Sequence, residues 1–94
     1  MSIYLDKKTF HQQDQEDFGQ ISGDYNPLHF PTNEARRSSF GKPIVHGINL
    51  LLYSLESLFL YKSISNKLSV DKLQVAYIKP LILDEEVSLY LKLS

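Results

Sequence analysis

The sequence contains no cysteine, no excess of charge of either sign and no long apolar run at its start. The lack of cysteine excludes disulfides, zinc sites with thiolate ligands and a cysteine nucleophile, and it fits the cytoplasmic location that we expect. The chain has 10 Lys and Arg residues and 11 Asp and Glu residues, which give a formal net charge of -1. A nucleic-acid partner is therefore not expected, because it would require a basic excess on one face. The polar start of the chain predicts no secretory signal.

Length and composition indicate one small globular domain. The chain has 94 residues, of which 43% are hydrophobic and 22% are charged. A chain of this length has room for a single core, and this balance is typical of folded rather than disordered protein. We therefore predict a single domain over residues 1–94.

The first part of the chain carries local signals for a strand, two helices and a turn. Residues 2–5 are predicted to form a short strand, and Thr9 is a candidate N-cap for a helix that ends at Gly23. Asn26 stands before a proline and predicts a turn, since asparagine bonds its own backbone and proline blocks helix. Thr32 is expected to cap a short second helix.

Residues 44–61 form the most apolar segment of the chain. A helix that is apolar almost all round is typically buried in the centre of a protein. The alternative, a membrane span, would place His46, Asn49 and Glu56 in or near lipid at a high energetic cost. We therefore predict a buried central helix and no membrane span.

The last part of the chain alternates apolar and polar residues. This period of two covers residues 72–77 and again residues 87–94, with Asp84 and Glu85 as the turn before the second stretch. Two antiparallel strands are predicted. Helices followed by strands favour the α+β class, with a sheet that wraps the central helix.

The segment 22–29, SGDYNPLH, is the first candidate site because it combines an acid, an amide and an imidazole. Asp24 and His29, separated by a turn, could act on one water molecule as a general acid–base pair. Histidine suits either role because it titrates near neutral pH. The alternative is purely structural, with Asp24 and Asn26 building an Asx turn and His29 packing against a neighbour.

The second candidate site is Gly47, at the predicted start of the central helix. Backbone N–H groups at a helix start are free, and the positive end of the helix dipole lies there. Such a place can hold an anion or a polarised carbonyl oxygen. The alternative for Gly47 is close packing, and His46 on its own would more often be a structural histidine.

Two other kinds of site are weaker. Asp24, His29 and His46 do not follow a recognised metal-ligand spacing, so we predict no metal. A triad using Ser22 is disfavoured because the serine lacks a nucleophile-elbow pattern.

Three segments together resemble the MaoC-like (R)-specific enoyl-CoA hydratases. Residues 17–29 resemble the hydratase signature of that family, with its Ser-Gly-Asp-x-Asn-Pro-x-His core. Residues 40–47 resemble the segment leading into its central helix, and residues 75–80 followed by 84–85 resemble its strand–turn–strand. The resemblance covers the chain from about residue 9 onward. It implies a hot-dog fold, in which an antiparallel sheet wraps one long helix.

The resemblance also implies an activity. Family members hydrate trans-2-enoyl thioesters to (R)-3-hydroxyacyl thioesters or run the reverse dehydration. Carried over by position, Asp24 and His29 would hold the water, and the Gly47 N–H would bind the thioester oxygen as the third catalytic group. Ser22, Asn26 and His46 are assigned to substrate binding. Coenzyme A or acyl carrier protein would carry the acyl group, with no other cofactor.

Two alternatives stay open beside the hydratase. The first is a non-catalytic domain that binds acyl thioesters or mediates assembly, and the second, disfavoured by the intact loop motif, is a thioesterase. Domains of the resembled family continue with further strands that cover the helix. Without those strands the sheet would be incomplete, and one side of the helix would lie open. We therefore expect either a piece of a longer protein, a second copy that supplies the cover, or a shortened relative that binds without turnover. A homodimer or higher oligomer is expected in each case.

Overall fold

The computed structural model describes residues 2–61 and 72–92. The strands are β1 and β2, the helices are α1, α2 and α3, and a single 3-10 turn lies between α1 and α2. In chain order the elements are β1 (Ser2–Thr9), α1 (Gln12–Ser22), the 3-10 turn (Pro27–His29), α2 (Asn33–Arg37), α3 (Gly47–Leu60) and β2 (Glu86–Lys92). This mixture confirms the α+β class.

β1 and β2 pair antiparallel, with Ser2 opposite Lys92 and Thr9 opposite Glu86. The predicted N-terminal strand is confirmed and continues to Thr9. The cap predicted at Thr9 is wrong, because the backbone of Thr9 belongs to the β1 ladder. His11 is the N-cap of α1 instead, and its N–H donates to the Asp14 carboxylate at 2.8 Å.

Three local predictions are confirmed at the ends of the helices. Gly23 ends α1 in the left-handed conformation, with φ of 78°, which glycine adopts at no steric cost. Asn26 accepts a hydrogen bond from the Leu28 N–H at the start of the 3-10 turn. Thr32 caps α2 by accepting from the Ala35 N–H. Each of these bonds joins residues close in sequence, so neighbouring residues are sufficient to specify it.

The strand predicted at residues 72–77 is wrong. The segment has no regular secondary structure, and Leu73, Val75 and Tyr77 are exposed. β2, the strand expected beside it, pairs with β1. A β-strand needs a neighbouring strand that accepts and donates its backbone hydrogen bonds. None of the described residues pairs with this segment in that way. The turn predicted at residues 84–85 does form, with Asp84 at φ of 66°.

The central helix is shorter and more open than predicted. α3 begins at Gly47 rather than at residue 44, and none of its residues is buried. Leu52 is 52% exposed and Leu60 is 71% exposed. The described sheet has only two strands and is too narrow to wrap the helix, which agrees with the expectation of an incomplete sheet. Within the described residues no helix is long and apolar enough to cross a membrane.

The residues before α3 run extended beside the turn that precedes β2. The Val45 N–H donates to the Leu81 carbonyl, and the Leu83 N–H donates to the Pro43 carbonyl. The small core lies along this contact: Phe10, Val45 and Leu83 are buried, and Leu50, Tyr53 and Leu81 pack against them. These contacts fix the start of α3 in place, although most of the helix is exposed to solvent.

Gln15 connects α1 to the two segments that will form the candidate site. Its side chain is fully buried, and Nε2 donates to the carbonyls of His29, at 2.9 Å, and of Ile44, at 2.7 Å. The amide nitrogen thus has two acceptors, whereas Oε1 is buried without a partner among the described residues. Gln15 therefore holds three segments of the chain together through one side chain.

Replacing Gln15 by leucine, which is similar in size, should lower the free energy of unfolding by about 2 kcal/mol, because two carbonyls lose a donor. Urea unfolding followed by circular dichroism measures the change. Gln20→Leu, at an exposed position of the same helix, is the matched control and should change stability by less than about 0.5 kcal/mol. Equal effects of the two substitutions would contradict this role for Gln15.

Candidate active site

The loop after α1 is built by a series of side-chain hydrogen bonds to the backbone. The Ser22 hydroxyl donates to the Phe18 carbonyl and accepts from the Asp24 N–H. The Asp24 carboxylate accepts from the Asn26 N–H through Oδ1, and Asn26 accepts in turn from the Leu28 N–H. These bonds hold the loop in one shape and leave the second carboxylate oxygen of Asp24 for other partners.

His29 faces that second oxygen. Its Nε2 lies 3.7 Å from Asp24 Oδ2, which is too long for a direct hydrogen bond and is a separation that one water molecule can bridge. The other ring nitrogen, Nδ1, lies 2.9 Å from the Ile44 carbonyl oxygen. A carbonyl only accepts, so Nδ1 carries the proton. In the neutral ring Nε2 therefore presents a lone pair toward Asp24.

His46 lies beneath this pair. It is 1% exposed, its ring stacks on that of His29 with centroids 3.9 Å apart, and Phe18 packs against it at 4.8 Å. Its Nε2 donates to the Asp24 backbone carbonyl at 3.0 Å. Its Nδ1 is buried without a hydrogen-bond partner among the described residues. This arrangement is that of a neutral histidine that supports both Asp24 and His29.

Burial lowers the pKa of His46, because the charged form would lose its hydration. The bond to the Asp24 carbonyl acts in the opposite direction, and the neighbouring His29 lowers the pKa of His46 further. A neutral His46 places no positive charge against the His29 ring.

A cavity of about 270 Å³ lies beside the pair. His29 and Gly47 both line it, together with Ile44, Val45, Leu50 and residues 77–81. Gly47 is the first residue of α3, and its N–H makes no hydrogen bond within the described part of the chain. The cavity thus brings the His29 imidazole together with a free N–H at the positive end of a helix.

Asp24, His29 and His46 also offer three potential metal-ligand atoms within 4.8 Å of one another. Sequence spacing gave no hint of this proximity. The geometry nevertheless disfavours a shared ion, since a ligating nitrogen binds a metal in the plane of its ring and the two rings are stacked at 28°. His46 Nε2 is also engaged by the Asp24 carbonyl. The expectation of no metal stays a prediction.

The residues predicted as the site come together only in part. Asp24, His29 and His46 are in mutual contact, and Gly47 lines the adjoining cavity. Ser22 and Asn26 use their side chains in the loop, and His46 is buried under it. These positions favour support of the loop over direct contact with a substrate.

Two residues at the site were absent from the sequence-based set, Gln15 and Tyr77. Gln15 could have been found from the sequence. It is a polar residue three positions before Phe18, so it shares the buried face of the same helix. Tyr77 has no such signal, because alternation along residues 72–77 indicates only a strand face.

Comparison with protein families gives a match over almost the whole chain. The family described as "MaoC like domain" matches residues 3–94. A mitochondrial 3-hydroxyacyl-[acyl-carrier-protein] dehydratase from Arabidopsis thaliana is 35% identical over 46 residues, which are 49% of this chain and 28% of that protein. The chain therefore matches less than a third of the length of this relative.

Two solved structures share the fold. The (R)-hydratase from A. caviae involved in PHA biosynthesis superimposes with a TM-score of 0.70 at 32% identity, covering 96% of this chain and 67% of that one. A monoamine oxidase regulatory protein from Archaeoglobus fulgius has a TM-score of 0.74 at 22% identity, covering 96% and 62%. These similarities confirm the predicted hot-dog class, with an incomplete sheet in the described chain.

The buried His46 predicts that stability falls in acid. Its folded-state pKa is below the ordinary value of about 6.5, so the unfolded chain binds a proton more readily. The stabilisation is fully present above about pH 6.5 and is lost as the pH falls toward the lowered folded-state pKa. Urea unfolding between about pH 7.5 and 5.5 should give a steeper loss for the native sequence than for His46→Gln, which does not titrate. Parallel curves would contradict a neutral, buried His46.

Proposed function

The chain belongs to the MaoC-like domain family, and from that premise we propose that it hydrates trans-2-enoyl thioesters to (R)-3-hydroxyacyl thioesters or catalyses the reverse dehydration. The observation that carries this proposal is the separation of 3.7 Å between His29 Nε2 and Asp24 Oδ2, together with the cavity that both His29 and Gly47 line. The hydratase and dehydratase relatives support the same reaction class.

The attacking water lies between the two catalytic side chains. It donates one hydrogen to the Asp24 carboxylate and the other to the lone pair of His29 Nε2, which leaves an oxygen lone pair free for C3 of the substrate. As the C–O bond forms, a water proton passes to the Asp24–His29 pair. The electron pair of the C2=C3 bond moves toward the thioester oxygen. C2 then takes a proton from the pair, so that one water is added and the pair is restored.

The thioester oxygen gains enolate charge during this step and needs a donor already in place. The Gly47 N–H fits that role, because it is free, lines the cavity and lies at the positive end of α3. A donor of this kind is typically worth about 3 kcal/mol of barrier. Coenzyme A or acyl carrier protein carries the acyl group, and the reaction requires no other cofactor.

A non-catalytic acyl-thioester binding or assembly domain is the second candidate. The open surface of α3 favours it, since Ile48, Leu52 and Leu60 are more than half exposed where further strands would be needed to cover them. In both cases we propose a homodimer or higher oligomer, because large exposed apolar surfaces are typical of interaction sites.

Removing either catalytic side chain tests the hydratase. Asp24→Ala and His29→Ala should each lower kcat on crotonyl-CoA by about 10²- to 10⁴-fold, the range expected for general acid–base groups. The loss of enoyl absorbance measures hydration, and circular dichroism checks the fold. Asp17→Asn, at an exposed carboxylate of α1, is the matched control and should leave the rate unchanged. Near-normal turnover in either alanine variant would exclude this pair.

The oligomer is tested separately by light scattering. At micromolar concentration the mass should be that of at least two chains, because burial of the open α3 surface stabilises the association. Leu52→Lys and Leu60→Lys place charges on this surface and should shift the mass toward one chain. A native protein that is monomeric at this concentration would refute the proposal.

A further inference from the structure

The side chain of Tyr77 lies directly against Gly47. A Cβ atom added to Gly47 would stand 3.0 Å from Tyr77 Cε1, 3.1 Å from Cζ and 3.4 Å from the hydroxyl oxygen. Separations of this size are shorter than ordinary van der Waals contact, so the phenol packs closely only because residue 47 is glycine. Both residues line the cavity that contains His29.

The contact brings two free donors close together. Neither the Gly47 N–H nor the Tyr77 hydroxyl makes a hydrogen bond to another described residue. The Cβ position and the nitrogen of a residue are bonded to the same Cα, so the two donors are at most about 6 Å apart. One oxygen atom can bridge donors at about this separation, since each hydrogen bond spans about 2.7–3.0 Å.

We infer that the Tyr77 hydroxyl is a second donor to the thioester oxygen, acting beside the Gly47 N–H in the same cavity. This inference rests on the proposed function, because it concerns the oxygen that becomes negative as water adds. The hydroxyl rotates to direct its hydrogen at that oxygen, whereas the N–H direction is set by α3. Tyr77 is thus a catalytic residue on a segment without regular structure, and its ring is positioned by contact with Gly47.

The kinetic test is Tyr77→Phe, which removes the hydroxyl and keeps the ring on Gly47. On crotonyl-CoA, kcat should fall at least about 10-fold while KM changes less than about 2-fold, because the lost bond strengthens chiefly as charge develops. Tyr90→Phe is the matched control: Tyr90 is a half-exposed tyrosine on β2, outside the cavity, and this variant should retain the native rate. Native kcat in Tyr77→Phe, or an equal loss in Tyr90→Phe, would overturn the inference.

A spectroscopic test separates this inference from the hydratase itself. Acetoacetyl-CoA has an enolate that absorbs in the near ultraviolet, and donors aimed at the thioester oxygen raise its bound fraction. The native protein should increase that absorbance, and Tyr77→Phe should lose most of the increase while binding the ligand with similar affinity. An enolate signal that depends on Tyr77 supports the donor even where crotonyl-CoA is not hydrated. An equal signal in both proteins overturns the donor and leaves the hydratase untouched.

Discussion

The carbonyl oxygen of Ile44 is the group on which the rest of the site depends. It accepts hydrogen bonds from Gln15 Nε2 at 2.7 Å and from His29 Nδ1 at 2.9 Å, so both of its lone pairs are used. The first bond ties α1 to the chain that leads into α3. The second assigns the proton of His29 to Nδ1 and thereby leaves Nε2 as the lone-pair nitrogen facing Asp24. A single peptide group therefore sets both the position and the tautomer of the His29 ring.

Beneath the His29 ring, His46 is a buried histidine whose neutral form is favoured. Its ring is buried against Phe18 and stacked on His29, and its one engaged nitrogen supports the Asp24 backbone. Burial lowers the pKa of His46, so the ring stacked on His29 carries no positive charge. The packing that buries the His46 ring thus also keeps it uncharged beside His29.

The candidate site lies at the start of α3, whereas the exposed apolar surface lies farther along the helix. Asp24, His29 and the Gly47 end of α3 are held by local turns and by the small core around Phe10, Val45 and Leu83. Farther along α3, apolar side chains lie exposed because the described sheet has only two strands. The contacts that hold Asp24, His29 and Gly47 in place therefore do not require a complete sheet.

The sequence by itself determined the features that neighbouring residues specify. Gly23, Asn26 and Thr32 occupy the cap and turn positions predicted for them, because each makes its bond within a few residues. The motif likewise indicated Asp24 and His29 before any contact was known. Only the tertiary structure decided that residues 72–77 form no strand, that no residue of α3 is buried, and that Gln15 and Tyr77 belong to the site. Those outcomes depend on which distant segment supplies a partner, and local periodicity carries no information about that partner.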